Sequence, residues 1–191
     1  MVAMTCRIQQ TSSTTAGNFA SVYEGAARMW RGNVAGLGGF YTSFTFAPED
    51  AAAVAGARMF VGLHTAVAGA TNVEPNTLTN IIGTCQLSTS NNLHLIHNDG
   101  SGTATTVDLG ANFPANGNTA LYRLTLWCIP NGSDIGYRIE RLDTGNFSEG
   151  LLSSDLPTST SLLARRAWRC NNATALAVKL SIAEIVTELE T

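Results

Sequence analysis

Two of the chain's three histidines fall in "NLHLIHNDGSG", residues 92–102, as His94 and His97 with Asp99 just behind. On a helix, side chains three apart share a face, and this pair could hold one metal ion. On a strand, side chains alternate, and 94 and 97 point to opposite faces. Asn98-Asp99-Gly100 stops the segment with a tight-turn signal, because Asp-Gly supplies turn geometry. A Thr/Val run, "TATTVDLG", follows, and these residues favour strands. The unit therefore reads as strand, turn, strand, and the histidines cannot chelate together. His97 and Asp99 share a parity, but the turn interrupts the strand between them. No metal site is expected.

Paired carboxylates are the next chemistry to test, since glycoside hydrolysis needs two of them across a cleft. Glu140 with Asp143, and Glu49 with Asp50, are the nearest pairs. Glu49 and Asp50 more simply favour a helix start. Glu140 lies between Arg138 and Arg141 and is expected to pair with an arginine. No nucleophile elbow, phosphate loop or zinc-protease motif occurs. "GLGG" at 36–39 lacks the strand-then-helix setting of a phosphate loop, and "NDGSG" lacks the spaced acids of a calcium loop. No catalytic residue is assigned, and no cofactor is implied.

Binding residues stand out more. Trp30 lies in "ARMWRG" and Trp168 in "RRAWRC", each flanked by arginines. An aromatic ring beside a guanidinium suits sugar stacking or cation–π contact. Trp30, Arg31 and Trp168, with Asn98 and Asp99 at a turn tip, are the ligand-binding candidates. Trp127 sits within an apolar run and reads as core.

These residues need a frame, and the frame reads as strands. "GFYTSFTFA", 39–47, puts Phe40, Thr42, Phe44 and Phe46 on one face. "RMFVGLHT", 58–65, and "TLTNIIGTCQLS", 77–88, follow, the latter with a bulge expected at Gly83. "ALYRLTLWCIP", 120–130, places Tyr122, Leu124, Leu126 and Cys128 on one face. "YRIERLDT", 137–144, pairs back on it. A second hairpin is expected around Asn171-Asn172. "PEDAAAVAGA" carries a short-helix signal over 48–56. In the tail, Ile182, Ile185, Val186 and Leu189 fit a helical stripe. Their β-branching favours a strand, which is the preferred reading. About nine short strands with regular turns imply a sandwich or jelly roll.

The whole-chain numbers agree. Of 191 residues, 45% are hydrophobic and only 13% charged. That is well below the usual quarter, and Thr, Ser, Asn and Gly fill the gap. Net charge is −3 and Lys179 is the single lysine. No basic stripe exists for nucleic acid. No run of eighteen apolar residues exists, so no membrane insertion is expected. Cys6, Cys85, Cys128 and Cys170 form no paired motif and read as free thiols of a reducing cytoplasm. Residues 1–10 lack the pattern of a signal peptide.

The block "NVEPNTLTNIIGTCQLSTSNNLHLIHNDGSGTATTVDLGANFPAN", with "LYRLTLWCIPNGSDIGYRIERLDTG" and "WRCNNATALAVKLSIAEIVTE", resembles a domain near the C-termini of phage tail-fibre and other receptor-binding tail proteins. The resemblance spans about residues 38–190. It implies an all-β fold, an antiparallel β-sandwich that is jelly-roll-like and concanavalin-like, with the final segment a strand. It further implies a homotrimer at a fibre tip, assembled in the host cytoplasm and carried on the virion. The partners would be other tail or fibre proteins and a bacterial surface polysaccharide or lipopolysaccharide. Residues 38–191 would be the receptor-binding sandwich. Residues 1–37 match nothing and read as a linker or subunit-contact region. Two other functions fit the same pattern: a glycan depolymerase, and a structural trimerisation or virion decoration domain.

Overall fold

The computed structural model describes residues 7–189. Two six-stranded antiparallel sheets pack face to face as a jelly-roll sandwich. In chain order the strands are β1 (Ile8–Thr11), β2 (Phe19–Tyr23), β3 (Phe40–Pro48), β4 (Arg58–His64), β5 (Ile81–Gln86), β6 (His94–Asn98), β7 (Thr105–Asp108), β8 (Tyr122–Cys128), β9 (Ile135–Arg141), β10 (Asn146–Leu152), β11 (Ala164–Cys170) and β12 (Lys179–Leu189). The first sheet runs β1-β12-β3-β8-β9-β10, the second β2-β11-β4-β5-β6-β7. Residues 8–23, set apart in the sequence reading as part of 1–37, supply an outer strand to each sheet. Residues 1–6, including Cys6, lie outside the described residues.

The core follows from strand alternation. Phe40, Phe44 and Phe46 of β3 and Tyr122, Leu124 and Leu126 of β8 face Met59, Val61 and Leu63 of β4 and Ile82 of β5. Each such side chain, once buried, contributes roughly 1.5–3 kcal/mol. The second sheet buries its outer face too. Phe60, Ile81, Cys85, Ile96, Trp168 and Cys170 form a second cluster, covered by Phe19, Ala70, Leu78 and Leu87. Among the described residues no such cluster covers the first sheet. Along β8 burial alternates strictly, with Tyr122, Leu124, Leu126 and Cys128 inside and Arg123, Thr125 and Trp127 outside. One sheet is therefore closed on both sides and the other keeps an open face of mixed polar and apolar residues.

Several local expectations change. No helix forms over 48–56: β3 runs through Pro48, and turns follow. Glu49 and Asp50 are drawn into buried polar contacts, Glu49 to Arg7, Gln9 and Ser181, and Asp50 to Arg169, and so cannot cap a helix. The only helical turn among the described residues is Pro75–Thr77. Asn171-Asn172 makes no hairpin, because β11 and β12 belong to different sheets. The Asn171 amide instead donates to the Thr15 and Leu176 carbonyls, each at 2.9 Å, and holds the crossover loop. β5 runs in unbroken register through Gly83.

The bulge falls in β12, between Ile182 and Glu184. One extra residue there sets Ile182 opposite Phe46 and Ile185 opposite Phe44, so two residues three apart share a face. Leu189, opposite Phe40, joins the same row. The apparent helical stripe of the tail is thus a bulged strand. Cys85, Cys128 and Cys170 are free and buried. No helix among the described residues is long and apolar enough to cross a membrane.

Candidate functional site

The histidines are structural. His94 and His97 lie on opposite faces of β6, both buried. His97 Nδ1 donates to the Asp155 carbonyl at 2.9 Å, and His94 Nδ1 lies 3.2 Å from the Asn92 carbonyl. The hairpin forms, with His97 opposite Thr105, but its loop is longer than a two-residue Asp-Gly turn. Among the described residues no three of His, Cys, Asp or Glu gather as a metal would need.

His64, on β4, accepts from Arg166 Nη1 at 2.7 Å. Burial, reinforced by the Arg166 charge, lowers its pKa to about 4. The unfolded histidine would titrate near 6.5, so between these values the unfolded chain binds the extra proton. Stability is full above that window and is expected to fall by up to about 3 kcal/mol as pH drops through it. Urea unfolding from pH 7 to pH 4 checks this. His64→Gln should flatten the profile, and an unchanged slope would assign the loss to other groups.

The carboxylate pairs are occupied. Arg141 grips Asp143 through Nε at 3.1 Å and Nη2 at 2.8 Å. Burial pushes the Asp143 carboxyl up, but the Arg141 bonds outweigh it and hold it below the usual range. An aspartate held ionised in this way is a poor general acid. Glu140 sits 3.8 Å from Arg138, the pairing its position suggested.

The ligand candidates separate. Trp168 is 1% exposed, packed edge-on to Phe19 in the second cluster, and presents no face to a sugar. Asn98 is fully buried, its amide donating to the Leu78 carbonyl. Asp99 accepts from the Ser101 backbone and hydroxyl, so its carboxylate shapes the turn. Trp30 is half-buried. Arg31 spends its N–H groups on the carbonyls of Pro157, Gly132 and Ser133. Arg31 thereby fixes the turn after β8.

That turn borders the feature the sequence reading missed. Trp127 lies not in the core but on the open face of the first sheet. It is opposite Gly136 on β9 and Tyr41 on β3. A Cβ on Gly136 would overlap the Trp127 Cε2, Cζ2 and Nε1 atoms, so the indole lies directly over the glycine. With one ring face pressed on bare backbone, the other is turned outward as a platform. Two hollows flank it. One, of about 180 Å³, is edged by Ser133, Asp134 and Leu151; the other, of about 190 Å³, by Tyr41 and Glu188. Both share Trp127, Cys128 and Ile129, and Ile129 is 71% exposed. Burial raises the Cys128 thiol, which is therefore no ready nucleophile.

Further along the face the polar groups pair off. Arg138 bonds Glu149 at 2.6 Å and stacks 4.3 Å above the Phe147 ring. A smaller slot of about 70 Å³ opens between the sheets beside the Glu24–Arg165 pair. It is mostly apolar and far too small for a sugar ring. The wider hollows around Trp127 are the candidate site. The signal available in the sequence was Gly136 facing Trp127 across the β8–β9 hairpin.

The sequence matches no protein-family profile, and no curated protein resembles it. Its structure does resemble solved ones. Peanut lectin superposes with a TM-score of 0.62 at 14% identity, over 97% of this chain and 87% of the lectin. The CBM2 module of the evolved Dit of Lactobacillus casei BL23 phage J-1 gives 0.56 at 16%, over 95% and 76%. The family 7 alginate lyase A1-II′ gives 0.54 at 8%, over 96% and 80%. At these identities the likeness is one of fold: this chain is a lectin-like jelly-roll sandwich.

Proposed function

We propose that this chain is a non-enzymatic glycan-binding module that serves as the receptor-binding part of a phage tail. It would attach the virion to a bacterial surface polysaccharide or lipopolysaccharide. The observation that carries the glycan reading is the Trp127 indole laid flat over Gly136 on an otherwise open sheet. Flat aromatic faces stack on the C–H faces of sugar rings, and the hollows beside this one are edged by hydroxyl and carboxylate groups. The fold shared with peanut lectin and with a phage CBM2 module supports it. The virion setting and a homotrimer rest on the reading of residues 38–190 as tail-fibre-like, which no family profile matches. Three copies would turn weak single-site binding into firm attachment.

A depolymerase reading draws on the alginate lyase fold likeness. The arginine-bound Asp143 and the high thiol of Cys128 argue against it in this chain. The test is direct. Surface polysaccharides from a strain panel are immobilised, and binding of wild type and Trp127→Ala is compared, with reducing ends and unsaturated products followed in the same wells. Binding that depends on Trp127 without new products is the expected result. Product formation would make the chain an enzyme, and binding indifferent to Trp127 would remove the site. Light scattering should give three times the 20.1 kDa chain. A monomer would remove the avidity argument.

A further inference from the structure

The two hollows at Trp127 differ from the rest of the open face in the charge they carry. Among the described residues, neither is lined by a lysine, arginine or histidine. Each carries one carboxylate, Asp134 on the β8–β9 side and Glu188 on the β12 side. Two arginines stand close by. Arg31 stands behind the Gly132–Ser133 wall, with its donors on backbone carbonyls. Arg138 is one outward-facing position along β9 from Gly136, paired with Glu149 and stacked on Phe147.

A carboxylate beside an aromatic platform accepts hydrogen bonds from sugar hydroxyls, and charge-assisted bonds of that kind are about twice as strong as neutral ones. The same carboxylate repels a uronate or a phosphate; no cation lines the Glu188 hollow, while on the Asp134 side the Arg31 charge offsets only part of the repulsion. The hollows also lie on either side of one shared ridge, Trp127 with Ile129. Two hollows against one ring offer places for consecutive units of a chain.

Resting on the glycan reading above, we infer that the Trp127 site takes a neutral oligosaccharide of at least two units. Asp134 and Glu188 each accept hydroxyl hydrogen bonds from one unit, and the same pair excludes anionic glycans. The acidic pair thus sets specificity, while the indole supplies the platform common to any sugar.

The test is an array of microbial polysaccharides that includes neutral, uronic-acid and phosphorylated members. It is probed with wild type, Trp127→Ala, and the double variant Asp134→Asn with Glu188→Gln. The expected wild-type signals are Trp127-dependent and confined to neutral glycans. The double variant should lose about tenfold on those and rise on uronates of related backbone, while its melting temperature stays put. Trp127-dependent binding to uronic or phosphorylated glycans by wild type overturns this inference and leaves the glycan reading standing. An unchanged neutral signal in the double variant also overturns it. If no glycan of any class gives a Trp127-dependent signal, the glycan reading itself falls, and the inference with it.

Discussion

Replacing Trp127 by alanine is expected to weaken glycan binding about thirtyfold and to leave folding nearly untouched. The energetic side rests on desolvation. A tryptophan at the centre of a recognition patch is commonly worth about 2 kcal/mol, and 1.4 kcal/mol is tenfold in affinity. The folding side rests on location. Trp127 is on the open face, outside the inter-sheet cluster, so its removal leaves no internal cavity. Gly136→Ala is the complementary probe, because it keeps the indole and only moves it. Its single methyl would occupy the space of the indole Cε2 and Nε1 and must lift the ring. Binding should fall by a similar factor, while Trp127→Phe keeps part of it. Calorimetric titration against the polysaccharide identified by the strain panel measures all three. Full affinity in Gly136→Ala would mean that the flat indole is not the platform.

The second large effect concerns stability. Asp50→Ala or Arg169→Ala should each cost about 3–5 kcal/mol, because either leaves one charge buried without its partner. Asp50 is 1% exposed and Arg169 is fully buried. The guanidinium binds Asp50 through Nε at 2.9 Å and also through Nη2. It further donates to Gln86 at 2.8 Å and Asn116 at 2.9 Å. The other Asp50 oxygen accepts from the Lys179 backbone at 2.8 Å. Five parts of the chain therefore share one polar node. For a chain of this size the loss corresponds to a melting-point drop of roughly 10 °C. The double variant should lose far less than the two single losses added, since neither charge is then orphaned. Urea unfolding gives all three numbers, and strict additivity would show that the ion pair is not the operative contact.

The strands were legible wherever one face is buried and the other wet, as in "ALYRLTLWCIP" and "GFYTSFTFA". Alternation is then written in the side chains. It failed where a residue's partner is remote in sequence. Glu49 and Asp50 look like a helix start until Arg7 and Arg169 are brought to them. Ile182 and Ile185 look helical because a bulge restores in space what the spacing breaks in sequence. The proposed platform was hard to see for a related reason. Arginine-flanked Trp168 advertises itself, but its strand lies in the sheet covered on both sides. Trp127 hides in an apolar run, although alternation sets it with Arg123 and Thr125, opposite the core row, and the burial along the strand bears that out. Arg31 was singled out for stacking, and it acts instead as a brace for the turn beside the platform.

The strand order has a consequence for how the chain comes to be folded. The first sheet is completed only when β12 inserts between β1 and β3, and the second only when β11 inserts between β2 and β4. The pairings that close both sheets thus join early residues to late ones, as in Ile8 with Ile182. During synthesis β1 and β2 emerge first and wait without a partner, and β3 and β4 each keep one edge open, until the last strands arrive. Closing such distant contacts places the chain among slow folders, with relaxation in milliseconds to seconds rather than microseconds. Truncation within β12 should be worse than its length suggests, because it leaves an apolar edge beside β3 open to other chains.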